Sequence, residues 1–186
     1  MLRQSLRAAV FRRDAYLRAV LTSHGVADAV VIVAAVYTAL ALTVSHRAVT
    51  DVLAHLRFVV DGAIAWLIIS GAVYLVSRHL LRGEGTFQGM VATTALAHPV
   101  LLLLILVRAG TPVPLTYLGH PTLLILDRAR SLDFLPLVAL FVATVWFLAV
   151  LVAGTRVAMG LSLDKAAVGV GAGYGAWWAI ATLLRF

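Results

Sequence analysis

The chain has 186 residues, of which 62% are hydrophobic and only 12% charged, with 15 Lys and Arg against 8 Asp and Glu. A soluble domain carries roughly 25% charged residues, so a water-soluble globule is excluded and lipid must cover much of the surface. The absence of cysteine excludes disulfides, thiolate-held zinc and iron–sulfur clusters.

The first segment, residues 1–23, is basic and reads as a unit separate from residues 24–186. Within Met1–Thr22 the apolar residues Leu2, Leu6, Val10, Leu17 and Leu21 recur near helical spacing, with Arg3, Arg7 and Arg18 on a neighbouring face. That pattern predicts an amphipathic helix in the membrane interface, with Arg3, Arg7, Arg12, Arg13 and Arg18 toward lipid headgroups. A cleaved signal peptide is not expected, because the run that follows is span-length rather than a short h-region.

Five apolar runs come next: Val26–Val44, Phe58–Val76, Gly89–Val107, Phe134–Gly154 and Ala166–Leu184. A helix needs about 20 apolar residues to cross a ~30 Å hydrocarbon core. Backbone groups in lipid must pair internally, and continuous rather than alternating runs rule against a barrel. The expected fold is therefore all-α, a polytopic bundle of five transmembrane spans preceded by the interfacial helix. Lys and Arg total nine on the side of the N-terminus and six on the other. The positive-inside rule then predicts a cytoplasmic N-terminus and an outer C-terminus.

Ionisable residues at or within the runs are candidates by default. Asp28 and Asp61 each lie near the start of a run, where a helix dipole stabilises a carboxylate. Ion-pair partners are expected at each level: Arg78 or Arg82 for Asp28, and Arg108 for Asp61. His98 falls near mid-membrane. It is expected to bond a carbonyl freed by Pro99, with a single axial pigment contact as the alternative role. The third loop, Ala109–Asp133, holds Pro112, Pro114 and Pro121 and is expected to be the exposed surface for a partner.

The last run holds Gly169, Gly171, Gly173 and Gly175, two overlapping Gly-x-x-x-Gly pairs that predict close helix packing within the chain or with a partner. No strand precedes these glycines, so they are not a dinucleotide loop. Ser162-Leu-Asp-Lys165 matches a Ser-x-x-Lys nucleophile motif but lacks companion motifs. A helix start capped by Ser162 explains it better.

One stretch carries a resemblance. Arg78-His-Leu-Leu-Arg82-Gly83-Glu-Gly85-Thr86-Phe87-Gln88 leads into the third run, and Pro99 follows. This resembles the signature of the Yip domain family (Ypt/Rab-interacting-protein-like membrane proteins). There, an Arg-bearing helix end, a Gly-x-Gly-[Thr/Ser]-Phe turn and a later Pro join the second and third of five spans. Asp14-Ala-Tyr16, Trp66, Trp146 and Gly160-Leu-Ser162 before the glycine-rich run agree with it. The Asp-Leu-Tyr-Gly-Pro-like element of eukaryotic trafficking members is absent, so Rab binding is not carried over.

The resemblance implies a five-span protein with a cytoplasmic N-terminus. The functional expectation is a non-enzymatic, multi-pass protein of the bacterial cytoplasmic membrane that organises the membrane or scaffolds partners. Expected contacts are membrane lipids and either other membrane proteins or a homo-oligomer, with no nucleic acid. No catalytic residue, metal or resident cofactor is expected, while bound lipid is. The alternatives are an accessory subunit of a larger energy-converting or pigment-binding complex, and a small transporter.

Overall fold

A computed structural model describes residues 2–44, 52–103, 105 and 134–184. Among these residues there is no strand. The helices are α1 (Leu2–Ala9), α2 (Arg13–Leu21), α3 (Gly25–Val44), α4 (Val52–Leu75), α5 (Phe87–Ala95), α6 (Phe134–Met159) and α7 (Leu163–Leu184). A π-helical turn, Val76–Leu80, continues α4, and a 3-10 helix, His98–Leu103, follows α5. The third loop, Ala109–Asp133, and Arg108, expected to pair with Asp61, lie outside the described residues.

Three helical stretches are long and apolar enough to cross a bilayer: Gly25–Thr43, Val52–Leu80 and Phe141–Met159. These match the first, second and fourth expected spans. The third is broken into the shorter apolar stretch Phe87–Leu103. Pro99 was expected to kink a continuous helix; instead α5 stops at Ala95, ahead of it. The Leu96 N–H bonds Thr93 O at 3.2 Å and the Ala97 N–H bonds Thr94 O at 3.1 Å, both tightened i→i+3 contacts. Proline disfavours helical backbone in the residue before it and offers no N–H, so the winding changes upstream. Helix α7 has the length to span, 22 residues. Four glycines, a tyrosine and two tryptophans dilute its apolar character, and it is not among the three.

The N-terminal segment is two helices rather than the single interfacial helix expected. They break at Val10–Arg12, where Phe11 adopts φ 60°. The buried face is small rather than leucine-rich: Ala8, Ala15, Tyr16 and Ala19 are inside, while Leu6, Val10, Leu17 and Leu21 are exposed. Small residues let α2 lie close along α5 and α6. Val20 stands 3.4 Å from where a Gly89 Cβ would be, and the Tyr16 ring 3.5 Å from that of Gly154. The Tyr16 hydroxyl donates to Ala8 O at 2.6 Å, and Trp146 Nε1–H donates to Ala9 O at 2.8 Å. These bonds hold α1 and the break against the bundle.

The centre of the bundle is a layer of rings. Tyr37 of α3 meets Phe58 of α4 (5.8 Å between centroids) and His98 (5.9 Å). His98 meets Phe147 of α6 edge-on at 5.5 Å, and Phe147 meets Tyr174 of α7 at 6.4 Å. Edge-to-face and tilted arrangements at these distances suit the ring quadrupoles. Gly62 of α4 opens the space that the Tyr37 ring fills.

Candidate functional site

The signature turn is a clasp. It begins where the π-helical turn ends: the Leu81 N–H reaches back to Val76 O at 3.3 Å and the Gly83 N–H to Ser77 O at 2.9 Å. Arg78 folds over and donates from Nη1 to Gly83 O at 2.8 Å, locking the loop to the helix it left. Arg82 sits at φ 58°, a left-handed backbone that strains a side-chain-bearing residue. The Glu84 N–H then bonds Met159 O at 3.0 Å, tying the turn to the last residue of α6.

Gly85 is required by that closeness, since a Cβ there would run into the Ala158 carbonyl. Thr86 caps α5, its hydroxyl accepting from the Gly89 N–H at 3.1 Å, as expected of that residue type. Phe87 stacks edge-on against Tyr74 at 5.5 Å. On the facing strand of chain, α6 ends in a Schellman turn: Gly160 has φ 65° and the Leu161 N–H bonds Arg156 O at 3.2 Å. The motif thus fastens the α4–α5 connection to the α6–α7 connection.

Inside the bundle, Thr94 gathers a polar cluster. Trp66 Nε1–H donates to Thr94 Oγ1 at 3.1 Å, and the Ser70 and Thr94 hydroxyls share a bond of 2.6 Å. Ser70 also reaches Trp66 O at 2.7 Å and Thr94 reaches Val91 O at 3.1 Å. His98 is 1% exposed. Its Nδ1 lies 3.1 Å from Thr94 O; a carbonyl can only accept, so the proton is on Nδ1. The carbonyl that Pro99 deprives of a partner belongs to Ala95, one residue later than the one the imidazole takes, because the winding has already tightened. With Tyr37 and Phe147 against its ring, His98 is a bonded member of the central layer.

The four glycines of α7 part company. Gly169 faces Ser77, whose Oγ is 2.7 Å from the site of a Cβ, and Gly173 faces the Val73 backbone, with Cα at 2.6 Å. Gly171 and Gly175 have nothing within 4 Å. One pair therefore packs α7 onto α4, and the other looks outward.

The charged candidates are arranged differently from the sequence expectation. Asp61 pairs with Arg57, one turn earlier in the same helix, at 3.7 Å, and both side chains are more than half exposed. Asp28 is half-buried in the first turn of α3. No ion pair joins it to Arg78 or Arg82 among the described residues, and Arg78 is engaged at Gly83. The arginines of the first segment include one pair, Arg7–Asp14 at 3.3 Å; Arg12, Arg13 and Arg18 are exposed.

Sequence reasoning missed Thr94, Ser70 and Tyr37. A hydroxyl in an apolar run is a signal of interhelical bonding, but its partner could not be named from spacing. No curated protein and no solved structure matches the chain. The Yip1 domain family model matches residues 7–184, from α1 through the end of α7. This is an integral membrane protein, and the chain belongs to the Yip1 domain family.

Proposed function

We propose that this protein works without catalysis, organising the membrane or scaffolding partner proteins through helix packing and lipid contact. The observation that carries the reading is the division of labour on α7. Gly169 and Gly173 bring α4 to backbone contact, while Gly171 and Gly175 present the same device to the outside. Small residues at this spacing let two helices approach closely in lipid, where no hydrophobic force separates them from the chains around them. The occupant of the outer face is another membrane protein or a second copy.

The polar interior supports the same reading. Trp66, Ser70, Thr94 and His98 are bonded to one another and to backbone carbonyls. They act as struts between α4 and α5, which favours a structural role for His98 over an axial pigment contact. Five spans, with α7 as the fifth, a cytoplasmic N-terminus and the bacterial cytoplasmic membrane as location, complete the proposal. The charge count and the family's plan support them. The basic α1–α2 segment supplies the lipid contact.

The experiment is purification from the native membrane in mild detergent or nanodiscs, with co-purifying proteins, lipids and absorbing groups identified by mass spectrometry and absorbance. A stoichiometric partner or a homo-oligomer that Gly171→Leu disperses supports scaffolding. A monomer without partners counts against it.

A further inference from the structure

The depth of the N-terminal hairpin sets up a problem that only polar groups from outside the protein solve. The midplane of the bundle is fixed by independent helices. Trp146 and Phe147 are the thirteenth and fourteenth residues of the 26 in α6, Tyr37 is the thirteenth of 20 in α3, and Tyr174 the twelfth of 22 in α7. Tyr37, Phe147 and Tyr174 belong to one chain of ring contacts through His98. At 1.5 Å per residue, each of these helices extends about 10–20 Å to either side of that layer, which is the half-thickness of a hydrocarbon core.

The hairpin reaches this layer. Trp146 Nε1 holds Ala9 O, so the end of α1 is at mid-bundle rather than at the helix ends. The Arg12 N–H bonds Arg7 O at 2.9 Å, which keeps both residues within a turn of Ala9. From there α2 descends along α6, Tyr16 beside Gly154 and Val20 beside Gly89 near the start of α5. Arg7, Arg12, Arg13 and Asp14 therefore lie at hydrocarbon depth. Yet the Arg7 and Asp14 side chains are 58% and 54% exposed, and Arg12 and Arg13 are exposed as well. Charges facing lipid tails cost several kcal/mol each unless water or headgroups come to them. Three arginines against one aspartate leave an excess of positive charge, which selects an anion.

We infer that the polar face of the α1–α2 hairpin is a notch in one leaflet where Arg7, Arg12 and Arg13 hold the phosphate of an anionic phospholipid, drawn inward below the ordinary headgroup plane. The inference rests on the lipid contact proposed above and adds its place: mid-leaflet rather than the interface. It makes the bilayer locally thin beside the broken third helix, where α5 and the 3-10 helix also interrupt the regular wall.

The chain has no cysteine, so single nitroxide labels can be placed without background. Phe11→Cys marks the hairpin break, Leu21→Cys the far end of α2, and Ile64→Cys a lipid-exposed position on α4 near the midplane, away from the hairpin. The full chain is reconstituted in nanodiscs of phosphatidylcholine and phosphatidylglycerol. Label depth is read from relaxation by oxygen and a water-soluble nickel chelate, and phosphate proximity from paramagnetic relaxation of the lipid phosphorus-31 signals.

The notch predicts a Phe11 label deeper than the Leu21 label that nevertheless relaxes phosphatidylglycerol phosphorus more than the Ile64 label does. It also predicts that Arg12→Gln and Arg13→Gln each lower that phosphate occupancy about fivefold, the equivalent of ~1 kcal/mol per arginine. A Phe11 label at headgroup depth overturns the notch and leaves interfacial lipid contact standing. A deep label with no more phosphorus relaxation than at Ile64 overturns phosphate capture. Neither result touches the outer face of α7, which purification tests separately.

Discussion

Gly169 and Gly173 differ from Gly171 and Gly175 by nothing that their spacing reveals. All four lie in one helix and each pair is four residues apart, yet one pair is filled by α4 and the other faces open space. The lesson is that a small-residue motif states only that a close approach is available. Which partner takes it is decided by the rotation of the helix, and that is set by larger neighbours: Trp177 and Tyr174 turn inward with Gly173, while Trp178 turns out.

The comparison breaks most sharply with the same substitution at both sites. In Gly173→Ala the new methyl would stand 2.6 Å from the Val73 Cα, a backbone atom that yields only if a helix moves. Overpacking of this kind costs about 2–3 kcal/mol, and we expect a clear drop in melting temperature followed by tryptophan fluorescence in nanodiscs. In Gly171→Ala the methyl meets nothing, and the helix gains from losing a glycine. The expected change is a stabilisation of about 0.5 kcal/mol, opposite in sign. Equal losses at both sites would show that the outer face is occupied in the reconstituted state. Gly85→Ala belongs with Gly173→Ala, since its methyl would meet the Ala158 carbonyl and force the clasp off the end of α6.

The polar core sharpens the same contrast between a sequence symbol and its surroundings. Thr93 and Thr94 are neighbours and both buried, but Thr93 bonds only carbonyls of its own helix, Gly89 O at 3.0 Å and Met90 O at 3.1 Å. Thr94 receives the Trp66 indole and the Ser70 hydroxyl from α4. Thr94→Val leaves the buried Trp66 N–H without its acceptor, at a cost of about 2 kcal/mol. Thr93→Val removes only a bond that its own helix backbone does not need. We expect it to melt within about 0.5 kcal/mol of the parent. A similar loss at both positions would mean that packing volume, not interhelical bonding, sets the stability of this layer.

These pairs show why the sequence was legible in some places and not in others. The class of fold was readable because length and hydropathy act locally along each helix, and they found α3, α4 and α6. The clasp was readable because Gly83, Gly85 and Thr86 have backbone roles that the residue types announce. The break before Pro99 was missed because the helix yields upstream of the proline. The hairpin was missed because the apolar spacing of Leu6, Val10, Leu17 and Leu21 draws the eye to the face that lies outward. The face that binds the bundle is marked only by Ala8, Ala15 and Ala19, which carry no periodic hydrophobic signal stronger than their neighbours. Asp61 was assigned a distant partner when Arg57 stood one turn away.

The two ion pairs give the finest test. Arg57–Asp61 joins residues one turn apart in a single helix, with side chains 85% and 55% exposed. Arg7–Asp14 spans the hairpin break with side chains 58% and 54% exposed. Exposure alone ranks them as near equals, and surface pairs of this sort contribute about 0–1 kcal/mol. Their depths separate them. Asp61→Asn should change the melting temperature by the equivalent of about 0.3 kcal/mol at low salt, and by less as salt is added. Asp14→Asn removes the one carboxylate beside three arginines where water is scarce, and should cost more and respond less to salt. The salt dependence of each variant in nanodiscs is the measurement. If the two respond alike, Arg7 and Asp14 sit in bulk water, the hairpin lies outside the leaflet, and the contrast between the two pairs reduces to sequence distance.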